Sequence, residues 1–94
     1  MKLEFEWDER KNAKNIKKHN VSFEEAAAVF SDPQRYEVFD SIHSLMEKRW
    51  IVIGLAGSKM YHVIFTERKN RIRIISARKA NKKNMEVYFY GNGT

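Results

Sequence analysis

The stretch Arg71-Ile72-Arg73-Ile74-Ile75-Ser76-Ala77-Arg78-Lys79-Ala80 holds the densest chemistry in the chain. Ile72 and Ile74 alternate with Arg71 and Arg73, a period of two. That spacing puts guanidiniums on one side of a strand and apolar groups on the other. A guanidinium is a planar fork that matches a phosphate, and it stays charged at any working pH. Arginines on a rigid strand are therefore a candidate surface for reading or cleaving a phosphodiester. The plainer alternative is a solvated strand face whose Arg stems cover apolar neighbours. The Ile74-Ile75 doublet interrupts the alternation. A bulge there would bring Ser76 and Arg78 onto the face of Arg71 and Arg73. The three histidines are scattered, and no Cys, His and Asp spacing points to a metal site.

The 94 residues are expected to form one domain, 1–94, with a single modest core. There are no cysteines, which excludes disulfides and thiolate chemistry and fits a reducing cytoplasm. The charge-dense first fifteen residues do not read as a signal peptide. The longest apolar run, Trp50 to Ala56, is too short to cross a bilayer. The Asn92-Gly93-Thr94 sequon has no meaning in a chain that is not secreted. Formal charge is +6 and unevenly placed: Arg68 to Lys83 holds eight Lys or Arg and no acid. Such a patch suits a polyanion or an acidic protein partner.

These residues must be positioned by short elements. Leu3 to Trp7 alternates as a strand or extended lead-in. Asp8 caps a helix running to about Lys18, with Ala13 and Ile16 as its thin apolar face. Asn20 ends it in a left-handed conformation. Ser22-Phe23-Glu24-Glu25 is a capping box opening a second helix, with Phe23, Ala26, Ala27 and Phe30 as its stripe. The two helices read as a hairpin. Strands follow over Arg35 to Asp40, Arg49 to Ala56 and Lys59 to Thr66, the last two joined by a Gly57-Ser58 turn. That turn pairs Ile53 with His62, Ile51 with Ile64, Trp50 with Phe65 and Val52 with Val63. Ser41 to Glu47 is a polar loop. Glu67 to Asn70 turns into the Arg71 strand, and a short final helix beginning near Ala80 carries Met85, Val87, Tyr88 and Phe89.

The order of these blocks closely resembles the BrnT family of type II toxins. The matching residues are Phe5-Glu6-Trp7-Asp8, Asn15 through Ala26 with its Lys18-His19-Asn20-Val21-Ser22-Phe23-Glu24-Glu25-Ala26 block, Phe30-Ser31-Asp32-Pro33, Arg49-Trp50, Thr66-Glu67-Arg68 and Arg71 through Ala80. The resemblance covers Phe5 to about Tyr88. One departure is Asn20, where the family usually has Gly; Asn tolerates the same left-handed backbone. The resemblance implies an α+β, RelE/ParE-like fold, an N-terminal helical hairpin packed on a small antiparallel sheet with a short C-terminal helix. It implies a bacterial ribonuclease that needs no cofactor and blocks translation, with RNA cut free or on the ribosome. It also implies neutralisation by a BrnA-like antitoxin with a ribbon-helix-helix domain. Operator DNA would be bound only through that antitoxin, in a complex of two toxins and two antitoxins.

A ribonuclease of this kind must activate the ribose 2′-hydroxyl, stabilise the phosphorane and protonate the departing 5′-oxygen. Arg73 and Arg78 are the first candidates for binding phosphate and stabilising charge. Arg68, at a strand end, suits a flanking phosphate, and Arg49 begins the neighbouring strand on the side of His62 and Arg73. Each could equally serve an ion pair or a solvated turn. His19 lies in the matching block beside Lys17 and Lys18 and is a candidate acid or base; its alternative is a helix C-terminal cap. His62 sits in an apolar row that also suits a core histidine, and Tyr88 is a candidate acid or base that also suits packing. His43, in the polar loop, carries no role. Lys17, Lys18, Arg71, Lys79, Lys82 and Lys83 are candidate RNA contacts, with a solvated surface as the plain alternative. Trp7, Trp50, Tyr61 and Phe65 have core spacing rather than that of base-stacking platforms. Two other functions remain open: a non-catalytic module binding RNA or antitoxin, and a ParE-like gyrase inhibitor on the same fold.

Overall fold

The computed structural model describes residues 3–91, so the Asn92 sequon lies outside the described residues. Strand β1 (Phe5–Glu6) leads into helix α1 (Glu9–His19) and then helix α2 (Phe23–Ala27), which tightens into a 3-10 turn over Ala28–Ser31. Strands β2 (Tyr36–Phe39), β3 (Trp50–Ala56), β4 (Lys59–Arg68) and β5 (Arg71–Lys79) follow, and helix α3 (Lys82–Tyr90) closes the chain. The sheet order is β1-β5-β4-β3-β2. The sheet is mixed rather than antiparallel throughout, because β1 runs parallel to β5. A lead-in strand next to the last strand can pair only this way when the chain arrives from the same end.

Local chemistry sets the element ends. The Asp8 carboxylate accepts from the N–H groups of Arg10 and Lys11 at 2.8 and 3.2 Å, which caps α1. Asn20 takes φ 58 and ψ 35 and stops it. Ser22 and Glu25 cap each other reciprocally at 3.0 and 3.1 Å. Gly57 has φ 67, as the first central residue of a two-residue turn requires. The β4–β5 turn is shorter than expected. Lys69 and Asn70 both have positive φ, a two-residue turn that leaves Glu67 and Arg68 in β4 and sets Arg68 opposite Arg71. The β3–β4 register pairs Ile53 with His62, Ile51 with Ile64, Val52 with Val63 and Trp50 with Phe65.

One sheet face carries the core. Val52, Tyr61, Val63, Phe65, Ile74 and Ala77 pack there against Val21, Phe23, Ala26, Val29 and Phe30. Burying a Phe or Val of this kind contributes roughly 1.5–3 kcal/mol. Phe30 meets Phe65 edge-on at 4.9 Å, and Trp7 meets Phe23 at 6.1 Å. Of the aromatic residues, Tyr61 and Phe65 lie in this core, and Trp7 and Trp50 pack against it half-buried. Gly54 allows the 3-10 turn to approach, since a Cβ there would lie 3.2 Å from Val29 Cβ and O.

Helix α1 is seated differently from the expectation. Ala13 is exposed and Ile16 is 43 % exposed, whereas Asn12 and Asn15 are buried. The Asn15 amide nitrogen donates to Ala77 O at 2.7 Å and Val21 O at 2.8 Å, and its oxygen accepts from Ala77 N at 3.1 Å. Asn12 Oδ1 accepts from Phe23 N at 2.9 Å. Beyond β1 the outer edge of β5 has no strand neighbour among the described residues, and the Asn15 side chain answers its exposed N–H and C=O as a peptide group would. Both α1 and α2 pack on β5.

Candidate functional site

The other sheet face is built by strand alternation. Cross-strand partners share a side, so the pairs His62–Arg78, Ile64–Ser76, Thr66–Arg73 and Arg68–Arg71 put eight residues on it. The pairing shifts between Ile64 and Phe65, where Ile75 is the extra residue. That bulge keeps Ser76 and Arg78 on the side of Arg71 and Arg73. Ile51 and Ile53 join from β3, Tyr36 and Val38 from β2, and Glu6 from β1. Extended one residue by the Asp40 N–H to Arg49 O bond of 2.8 Å, the register makes a row of Asp40, Arg49, Thr66, Arg73 and Glu6. The next row is Val38, Ile51, Ile64 and Ser76, and the third is Tyr36, Ile53, His62 and Arg78.

The arginines on this face divide by partner. Arg73 donates to Glu6 Oε2 at 2.7 Å, half-buried. Arg71 lies 3.5 Å from Glu4 and 4.0 Å from Glu6, and Arg68 lies 4.0 Å from Glu47; both are largely exposed. Arg78 pairs with no carboxylate among the described residues and donates to Asn84 Oδ1 at 2.9 Å and Lys79 O at 3.2 Å. Arg49 has no ion pair among the described residues, and its Nε is buried without a hydrogen-bond partner. A buried, unanswered guanidinium N–H costs about 1–3 kcal/mol or more, so its retention at a face of cations is a feature that an anion would relieve.

The histidines occupy three different places. His62, in the third row, is pushed down to about 4 by burial and by the Arg78 charge, so it is neutral near pH 7 and can accept but not donate as a cation. His19 lies at the end of α1 in an open groove of about 220 Å³ lined also by Lys11, Lys14, Asn15, Lys18, Ile75 and Ser76. Ser76 is shared between that groove and the arginine face. The loop after β2 holds the third. His43 Nδ1 lies 3.0 Å from Asp40 Oδ2, and the His43 N–H donates to Asp40 Oδ1 at 3.3 Å. Ser44 Oγ donates to Asp40 O and accepts from the Arg49 N–H at 2.9 Å, which closes the loop at Arg49. Thr66 Oγ1 donates to Lys48 O and pins the same end to β4. The reading of residue types gives His43 no role and does not weigh Asp40, Ser44 or Thr66 for one; the three-residue spacing from Asp40 to His43 is the available signal.

Helix α3 packs on β3 and is held at both ends, by Arg78 to Asn84 and by Tyr88 to Asp32 at 2.6 Å. Burial pushes the Asp32 carboxyl up, but bonds from Tyr88 and from the N–H groups of Leu55 and Gln34 outweigh it and hold it below the usual range. The same bond, with burial, pushes the Tyr88 phenol up to about 12. Tyr88 is thus a protonated latch. Lys79 pairs with Tyr61 and so falls on the opposite side from Arg78. Lys82 and Lys83 are exposed in the first turn of α3, and Lys17 is exposed on α1. The structure therefore brings Arg49, Arg73, Arg78 and His62 onto one face, with Arg68 and Arg71 at its rim, and sets His19 and Lys18 in the adjoining groove. Among the described residues no three His, Cys, Asp or Glu side chains converge, and no helix is long and apolar enough to cross a membrane.

Comparison with curated proteins returns no match. A family model described as the ribonuclease toxin BrnT of type II toxin-antitoxin systems matches residues 7–84, a span that includes the Ser22 capping box and every strand from β2 to β5. With an arginine-bearing strand face of the kind a phosphodiester substrate demands, and a match over most of its length, the chain belongs to the BrnT family of ribonuclease toxins, whose members act within type II toxin-antitoxin pairs.

Proposed function

We propose that this protein is an endoribonuclease that cleaves RNA without a metal ion. The observation that carries this reading is the sheet face, tied to α3 at Arg78, on which Arg49 and Arg78 are neutralised by no carboxylate among the described residues. A phosphodiester seated across Arg49, Thr66 and Arg73 gains charge-assisted hydrogen bonds, and these strengthen as charge builds on the phosphorane. Arg73 is aimed in advance by Glu6. Arg78 meets a neighbouring phosphate beside His62, and Arg68 and Arg71 meet others at the rim. RNA continues over Ser76 into the α1 groove, where Lys18 and His19 lie, with Lys17 beside it and Lys82 and Lys83 on α3 as outer contacts.

In the cell such an enzyme stops translation, on free RNA or on the ribosome, from the cytoplasm. A type II family implies an antitoxin; we take it to be a BrnA-like ribbon-helix-helix protein that alone contacts operator DNA. The α+β arrangement is read as RelE/ParE-like. The test is RNA cleavage in EDTA by wild type beside Arg49→Ala, with folding checked by circular dichroism. Cleavage that falls at least 100-fold in a folded Arg49→Ala is the expected result. Absence of cleavage by folded wild type, or equal cleavage by the variant, sinks the reading.

A further inference from the structure

The arginine face supplies cations, but its own histidine, His62, is half-buried between Ile53 and Arg78. The geometry points to His43 as the group that moves the proton, with Asp40 as its positioning residue; the inference rests on the ribonuclease reading above. Asp40 is buried, 7 % exposed, and its side chain faces the same side as Arg49, Thr66 and Arg73. His43 is 67 % exposed at the side chain and presents Nδ1 to that carboxylate at 3.0 Å. A carboxylate on Nδ1 fixes the ring's orientation and the tautomer that carries its hydrogen there, leaving Nε2 as a free acceptor. Nε2 has no partner among the described residues. The loop that carries the histidine is not loose at its roots. Ser44 ties Asp40 to Arg49, and Thr66 ties Lys48 to β4. An oriented imidazole thus stands at one end of a row whose next member is a guanidinium lacking any partner at Nε.

The step this supports balances without another reagent. His43 Nε2 takes the proton of a ribose 2′-hydroxyl. The 2′-oxygen bonds to phosphorus while its negative charge is held by Arg49 and Arg73. The P–O5′ bond breaks, and the departing 5′-oxygen takes a proton from water. The products are a 2′,3′-cyclic phosphate and a 5′-hydroxyl, and His43 later returns its proton to solvent. The same contacts also have a purely structural use, because Asp40 accepts the His43 N–H and so caps the turn. The tests must separate the two.

His43→Gln, folded by circular dichroism, is expected to lower kcat by at least ~100-fold while KM stays within about threefold. A His43→Ala variant leaves an open site, and added imidazole is expected to restore cleavage in proportion to its concentration; a capping role would show no such rescue. A His43→Gln enzyme with kcat within threefold of wild type overturns the inference while leaving the ribonuclease reading intact. A second measurement does not depend on turnover. A 2′-O-methyl RNA oligonucleotide, which cannot be cleaved by this route, is expected to shield His43 from acylation by diethylpyrocarbonate. Unchanged acylation of His43 with the oligonucleotide bound overturns the proposal even if the wild type cleaves nothing.

Discussion

Arg49 and His62 show how single side chains on one face acquire different tasks. Arg49 has no carboxylate partner among the described residues and an unanswered Nε, so it gains most from an anion. His62 is kept neutral by burial and by Arg78. The sign for stability follows from the depressed value. Between about pH 6.5 and 4 the unfolded chain binds a proton that the fold rejects, so stability falls as pH falls through that window. A urea midpoint that declines from pH 7 to 4.5 in wild type, and declines less in His62→Gln, is the expected outcome. Equal slopes would mean that other groups dominate. The arginine pattern was legible from residue types because a two-residue period is itself a statement about sides of a strand. The Asp40–His43 pair was not. Its meaning depends on a carboxylate buried by a loop, and no local pattern in Ser41 to Glu47 encodes burial.

At the level of elements, α1 is attached to the sheet by amides rather than by grease. Asn15→Ala would strand the N–H and C=O of Ala77 and the C=O of Val21. Leaving such buried groups unpaired costs about 1–3 kcal/mol each, so a loss on the order of 3 kcal/mol is expected from urea unfolding. Asn15→Asp would set a buried carboxylate oxygen against the Val21 and Ala77 carbonyls, so it should cost at least as much. Helix α3 behaves in the opposite way, with no fully buried residue and two polar ties. Tyr88→Phe removes one tie and should cost about 1 kcal/mol, with faster amide exchange confined to Lys82–Tyr90. The Asp8 cap, the Ser22 capping box, the hairpin turn and its register were legible because each is a short-range rule. The seat of α1 was not, since an apolar stripe was sought at Ala13 and Ile16 while the contact lay in Asn12 and Asn15. Those two share a side at i and i+3, but their partners are residues far along the chain. The parallel partner of β1 was hidden for the same reason.

For the molecule as a whole, the +6 charge and the lysines of the α1 groove, without ion pairs among the described residues, set how strongly a polyanion is held. Binding of a noncleavable oligonucleotide should weaken steeply with salt, and each removed phosphate contact should lower the slope by about one. Lys14→Ala with Lys18→Ala should therefore lower it by roughly two, read by fluorescence anisotropy; an unchanged slope would place RNA elsewhere. The architecture has one more result, which concerns time. Glu6 and Arg73 are 67 residues apart, and Asn15 and Ala77 are 62 apart. Both join the beginning of the chain to its last strand. During synthesis at about 5–20 residues per second, the first helix waits several seconds for the strand that completes it. The arginine face therefore cannot assemble until β5 has been made, late in the synthesis of the chain.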